Sequence, residues 1–135
     1  MEEIWNYWMP INIPDGQYEL IELCQTFDGL KLVFDNEILL ITVHYKDELL
    51  SFRYCDEGDR WNTVDKVLAS KGKYFFKNKL TFIVENSDFK NWYALETFNK
   101  WLPSEFEHHS FVTANDIIDV LALHSPTISI EELHT

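Results

Sequence analysis

The sequence predicts an α+β fold: a single curved, mainly antiparallel sheet of about six to eight strands, covered by two helices. Three observations point there. Short runs of strand-forming residues are separated by polar turn pairs. Two later stretches switch to a period near 3.6. A composition 46% hydrophobic and 16% aromatic supplies one real core for 135 residues. No repeat, linker or low-complexity tract divides the chain, so residues 1–135 read as a single α+β domain.

The organising stretch is Leu30–Glu57, LKLVFDNEILLITVHYKDELLSFRYCDE. It reads as strands at 30–35, 37–45 and 48–55, joined by turns at Asp35-Asn36 and Lys46-Asp47. In the middle strand, Ile38 and Leu40 alternate with Leu39, Ile41 and Val43, a pattern expected of a strand covered on both faces. Before it, Gln17 to Thr26 reads as a strand, and Gly29 is expected to supply the positive φ that closes a hairpin. The first residues hold Trp5, Tyr7 and Trp8. Pro10 and Pro14 exclude a helix running past Met9, so a short helix at 2–8 and an aromatic lid over the sheet are the expectation.

After the meander, Trp61, Val64, Val67 and Leu68 recur at helical spacing, with Gly72 as the stop. A hairpin is expected from Lys73–Phe76 and Leu80–Glu85. The second helix has the clearest signal. Ser87 or Asn86 caps it, Asp88 suits its dipole, and Phe89, Trp92, Leu95, Phe98 and Leu102 line one side as far as Pro103. That side is expected to cover the sheet. Residues 108–114 read as a strand. The IIDVLAL run after Asn115-Asp116 fits either a helix or a strand, with its β-branched residues favouring the strand. TISI, after Pro126, adds a short edge strand.

The charge is strongly acidic, with 23 Asp and Glu against 11 Lys and Arg, a net −12. Such a surface repels nucleic acid and anionic membranes, and its electrostatic complement is a basic protein. Residues 101–135 hold six acids and no Lys or Arg. No segment has the length and apolarity of a membrane span or a secretory leader, so the cytoplasm is expected.

Catalytic and metal signatures do not emerge, and no cofactor is expected. HExxH, GxSxG, Walker A and GxGxxG patterns are missing. Cys24 and Cys55 carry no disulfide or CxxC pattern and read as buried free thiols. His108 and His109, beside Glu105 and Glu107, read as a surface cluster with His124 and His134 downstream; as neighbours in a strand they point to opposite faces. His44 reads as a hydrogen-bonded structural histidine in the middle strand. In FRYCDEGDR, Arg53 and Arg60 lie beside Asp56, Glu57 and Asp59, with Asp65 further on. A salt-bridge network at the strand-to-helix junction is expected from these residues.

The segments SFRYCDEGDR, ENSDFKNWYALET and HSFVTANDIIDVLALHSP span most of residues 48–126. In their order and character the chain resembles small immunity proteins that accompany polymorphic bacterial toxins. The resemblance implies a cytoplasmic, non-catalytic, acidic protein that binds and blocks a cognate toxin, frequently a basic nuclease. It assigns no active residue, because the interfaces of such proteins are individual.

Three functional readings follow. In the first, Asp56, Glu57, Asp59, Glu105 and Glu107 form a partner-binding surface that occludes a basic toxin domain. In the second, a small enzyme or ligand-binding half-barrel has a site in the sheet concavity, lined by Tyr45, Arg53, His44 and Trp92. In the third, the protein is a structural subunit that forms a homodimer through an edge strand or its aromatic N-terminus.

Overall fold

A computed structural model describes residues 2–133. Nine strands and two α-helices form among them. The strands are β1 (Ile4–Tyr7), β2 (Glu19–Thr26), β3 (Gly29–Asp35), β4 (Leu39–Tyr45), β5 (Leu49–Asp56), β6 (Thr81–Glu85), β7 (Glu107–Val112), β8 (Asp116–Ala122) and β9 (Thr127–Glu132). The helices are α1 (Trp61–Lys71) and α2 (Asp88–Glu96).

The α+β class and the antiparallel pairing match expectation, but there are two sheets where one was expected. One sheet runs β1-β6-β7-β8-β5 and the other β2-β3-β4-β9. The meander β2–β3–β4 forms as its turns dictate. At Gly29, φ is +109°, and a Cβ there would sit 2.0 Å from the Tyr45 carbonyl oxygen, so no other residue closes this turn without displacing backbone. At the next turn, Asn36 Oδ1 accepts from the amides of Ile38 (3.0 Å) and Leu39 (2.7 Å). The chain then changes sheet. β5 pairs with β8, and β9 returns to pair with β4.

Burial explains the split. Leu32, Phe34, Ile41 and Val43 of one sheet meet Phe111, Ile118 and Val120 of the other in a common core. A single layer would leave one of these apolar faces in water. Both helices lie on the opposite face of the five-stranded sheet. Val64 and Val67 of α1 pack with Trp5, Phe82, Val84, Val112 and Ile117. Phe89 of α2 packs with Phe106 and Leu121.

Several local expectations are corrected. Residues 4–7 form a strand on β6, not a helix, with Trp5 opposite Val84 and Tyr7 opposite Phe82. Trp5 and Trp8 are buried, but Trp5 is part of the sheet itself rather than of a lid over it. Residues 73–78 form turns, with Phe75 and Lys77 amides bonded to the Gly72 and Tyr74 carbonyls (both 3.1 Å), so β1 replaces them as the partner of β6. β4 buries only Ile41, Val43 and Tyr45 fully. Leu40, Thr42 and His44 on its other face stay half-buried, and Ile38 is exposed, because no second layer covers that face among the described residues. Residues 116–122 are a strand, and β9 is an edge strand. Cys24 and Cys55 are free, but half-buried rather than buried.

The second helix is shorter than its apolar spacing suggests. It ends at Glu96, because Phe98 (φ 52°) and Asn99 (φ 59°) turn into the left-handed region. The Asn99 amide bonds the Ala94 carbonyl at 2.7 Å, which closes the helix end.

Candidate functional site

On the helix side of the five-stranded sheet lies a polar cluster centred on Asp119 of β8. Alternation along the strand aims Ile118 and Val120 at the second sheet, and Asp119 therefore at the helices. Asp119 is fully buried and is satisfied by three cationic or polar partners. Arg60 Nη1 donates to its Oδ2 at 2.6 Å and Arg53 Nε to the same oxygen at 2.8 Å. His108 Nε2 lies 2.7 Å from its Oδ1. Burial alone would raise the Asp119 pKa. The hydrogen bond from His108 and the charges of His108, Arg60 and Arg53 reverse this and hold it well below the usual carboxylate range.

The chain of contacts continues through His108. Its Nδ1 is 2.6 Å from Ser87 Oγ, and Ser87 in turn accepts from the Lys90 amide at 3.0 Å as the N-cap of α2. Ionised Asp119 can only accept, so His108 Nε2–H donates to it. Ser87, His108 and Asp119 have the connectivity of a hydrolytic triad, with the ring nitrogens exchanged relative to the serine-protease arrangement. Ser87 is only 2% exposed and its oxygen is occupied by a helix amide. The arrangement ties α2 to the sheet and presents no nucleophile to a substrate.

His109, one residue on, occupies a different environment between the sheets. Trp8 stacks on its ring at 3.9 Å and 10°. Tyr45 Oη lies 2.8 Å from Nδ1, and Glu107 Oε1 lies 2.9 Å from Nε2. Burial pushes its pKa down to about 4, against the upward pull of Glu107. The ring is neutral near pH 7, so its contact with Glu107 is a hydrogen bond rather than an ion pair. The surface cluster expected at His108-His109 is therefore corrected: both rings are buried, on opposite faces as strand alternation requires. His134 lies outside the described residues.

The two arginines do not pair with Asp56, Glu57, Asp59 or Asp65; both turn inward to Asp119. The expected network exists with a different acid, 59 residues or more along the chain from either arginine. This leaves the junction carboxylates outward. Asp56 Oδ1 accepts from the Gly58 amide at 2.8 Å, and Asp56 stands opposite Asp116 in the β5–β8 register. Glu105 Oε1 accepts from the Leu102 amide at 2.9 Å, and Glu107 pairs in register with Ala122. Asp116 and Ala122 are the two ends of β8, about 20 Å apart. The five predicted partner residues thus form two groups, Asp56, Glu57 and Asp59 at one end of the sheet and Glu105 and Glu107 at the other.

Between these groups runs β5, an edge strand. Beside it lies an open groove of about 470 Å³, lined by Ser51, Phe52, Arg53, Asp88, Phe89 and Trp92. The Arg53 guanidinium sits 4.4 Å over the Phe89 ring, with only Nε engaged. The residues expected to line a half-barrel do not converge. Arg53 and Trp92 share this groove, whereas Tyr45 is in the inter-sheet core and His44 bonds the Asp28 carbonyl (2.9 Å) on the open face.

The aromatic side of α2 does not act as a cover. Phe89 is buried, but Trp92 (51% exposed), Leu95 (73%), Phe98 (95%) and Leu102 (49%) form an outward ridge. Glu96, Lys100 and Glu105 are exposed along it. Sequence reasoning found these residues by their spacing and assigned the wrong side to them. Among the described residues, no group of three or more His, Cys, Asp or Glu side chains converges as a metal would require, and no helix is long and apolar enough to cross a membrane. Comparison with protein-family models, curated proteins and solved structures gave no significant match.

Proposed function

We propose that this chain is a non-catalytic binding protein of the immunity type, acting in the cytoplasm, which occludes a basic protein partner such as a toxin domain. Phe98 carries the reading. A bulky residue on left-handed backbone costs the fold, and a 95% exposed phenyl ring returns nothing to it. Both features make sense if a partner buries the ring. With Trp92, Leu95 and Leu102 it supplies an apolar anchor of the kind that dominates interface energies. Carboxylates lie on both sides: Glu96 and Glu105 along the ridge, and Asp56, Glu57 and Asp59 across the sheet. They supply steering and selectivity for a cationic surface.

The test separates folding from binding. Phe98→Gly removes left-handed strain, so thermal or urea unfolding is expected to show stability unchanged or raised by about 1 kcal/mol. The same variant is expected to weaken binding to a basic partner co-purified with the intact protein by about tenfold or more. Lysine reversals at Asp56, Glu57 and Asp59 are expected to slow association and reduce its salt dependence. Unchanged affinity in the Phe98→Gly protein would remove the ridge from the interface, and unchanged association in the reversals would remove that acidic group.

A further inference from the structure

We infer that the free edge of β5, together with the groove between it and α2, takes an extended segment of the basic partner as an additional strand. The inference rests on the binding reading above and specifies which part of the partner docks and how. β5 is eight residues long and hydrogen-bonds to β8 on one side only. After a bulge between Leu49 and Ser51, its register with β8 is unbroken to Asp56. Six consecutive residues of regular strand therefore present every second N–H and C=O outward, a template for pairing.

Other edges lack what lies beside this one. β1 has four residues. β2 is as long as β5 and β9 has six residues, but neither helix packs with their sheet in a core cluster, and the β2 bulge falls between Leu20 and Glu22. At β5 a helix-flanked groove opens beside the edge at Ser51, Phe52 and Arg53, a setting suited to strand addition; the cavity between α1 and the start of β1 adjoins a strand of only four residues. Side chains of an added strand alternate, so every second one enters that groove against Phe89 and Trp92.

Charge selects the occupant. Of the charged residues lining the groove, Arg53 is engaged by Asp119 and Asp88 sits in the first turn of α2, where the helix dipole favours it; Phe52, Phe89 and Trp92 make up most of the rest. A segment that fits is therefore apolar at its centre. At one end of β5 stand Asp56, Glu57 and Asp59; at the other, Asp47 with Glu105 and Glu107 outweighs Lys46, so both ends favour lysine or arginine in the segment. A second copy of the chain is disfavoured. Antiparallel self-pairing would set the Asp56–Asp59 end against the Asp47 end of the other molecule, between two bodies of net charge −12.

Hydrogen exchange followed by NMR on the intact protein tests this. The probe is an acetylated and amidated peptide of about eight residues, alternating valine and threonine at the centre with two lysines at each end. At saturation, alternate amides from Ser51 to Asp56 are expected to exchange about tenfold more slowly, with β2 amides unchanged. A peptide of the same sequence with alternate N-methylated amides is expected to lose the effect. Salt-sensitive binding with β5 amides unchanged overturns the β5 assignment while leaving the acidic-surface reading in place. Absence of any peptide binding also overturns it, and the broader reading then stands or falls on the Phe98→Gly and charge-reversal measurements. Protection of β5 without peptide that disappears on dilution means that a second copy holds the edge, and overturns it as well.

Discussion

His108 and His109 are neighbours in one strand, yet they belong to two different interiors. On the helix side, His108 sits among Ser87, Asp119, Arg53 and Arg60, where each polar group is matched by another. On the inter-sheet side, His109 is enclosed by Trp8, Phe111 and Tyr45 and is held neutral by burial. The strand's alternation creates both environments from one dipeptide. The difference teaches that polarity in this core is assigned by face. The buried charge of Asp119 is tolerated because Arg53 and Arg60 reach the same face.

The largest loss is expected from Asp119→Ala. It leaves Arg60 and His108 without their acceptor in a buried site, and a loss of about 3–5 kcal/mol is expected in urea unfolding. An equal effect from replacing an exposed acid such as Asp59 would show that the cluster is not special. A smaller effect is expected from pH, and it belongs to His109. The folded ring has a pKa near 4, below the ordinary value of about 6.5, so the unfolded chain binds a proton that the native state refuses. Stability is therefore full above about pH 6.5 and falls as pH drops towards 4, by roughly 3 kcal/mol at most. His109→Gln is expected to flatten this slope. Asp119, whose folded pKa is depressed, contributes its own loss only below the unfolded carboxylate value of about 4, so a series from pH 7.5 to about 4.5 isolates the histidine. The smallest effect sharpens the rule of matched polarity. Ser110 stands opposite Asp119 in register, but its buried Oγ has no hydrogen-bond partner in the protein. Ser110→Ala is expected to leave stability unchanged or to raise it by up to ~1 kcal/mol in thermal unfolding.

Much of the local structure is legible in the sequence, because it is set by near neighbours. Gly29 and Asn36 announce their turns, Ser87 its cap, and the spacing from Trp61 to Leu68 its helix. The site is less legible for a physical reason. Asp119 meets His108 from 11 residues away, and Arg60 and Arg53 from 59 and 66. Arg53 and Arg60 had closer acids in sequence, but the Asp56 side chain caps the following turn while Asp119 faces both arginines from the neighbouring strand. Periodicity also fixes which residues of α2 share a side without stating what lies opposite that side. Phe89 finds the sheet, whereas Leu95 and Phe98 extend past it into solvent. The split into two sheets escapes notice for the same reason, since β5–β8 and β4–β9 pair residues far apart in the chain.

The return of β9 to β4 has a consequence for how the molecule is made. During synthesis, β2, β3 and β4 leave the ribosome early and can pair at once, but the far edge of β4, with Leu39, Ile41 and Val43, has no partner until some eighty residues later. For that interval the nascent chain carries an open apolar strand edge, a template for pairing with the wrong chain. Ile128 and Ile130 arrive after the other eight strands and close it. A chain halted before Thr127 would contain every residue of the Asp119 cluster and still display that edge, so β9 works as a seal on the four-stranded sheet.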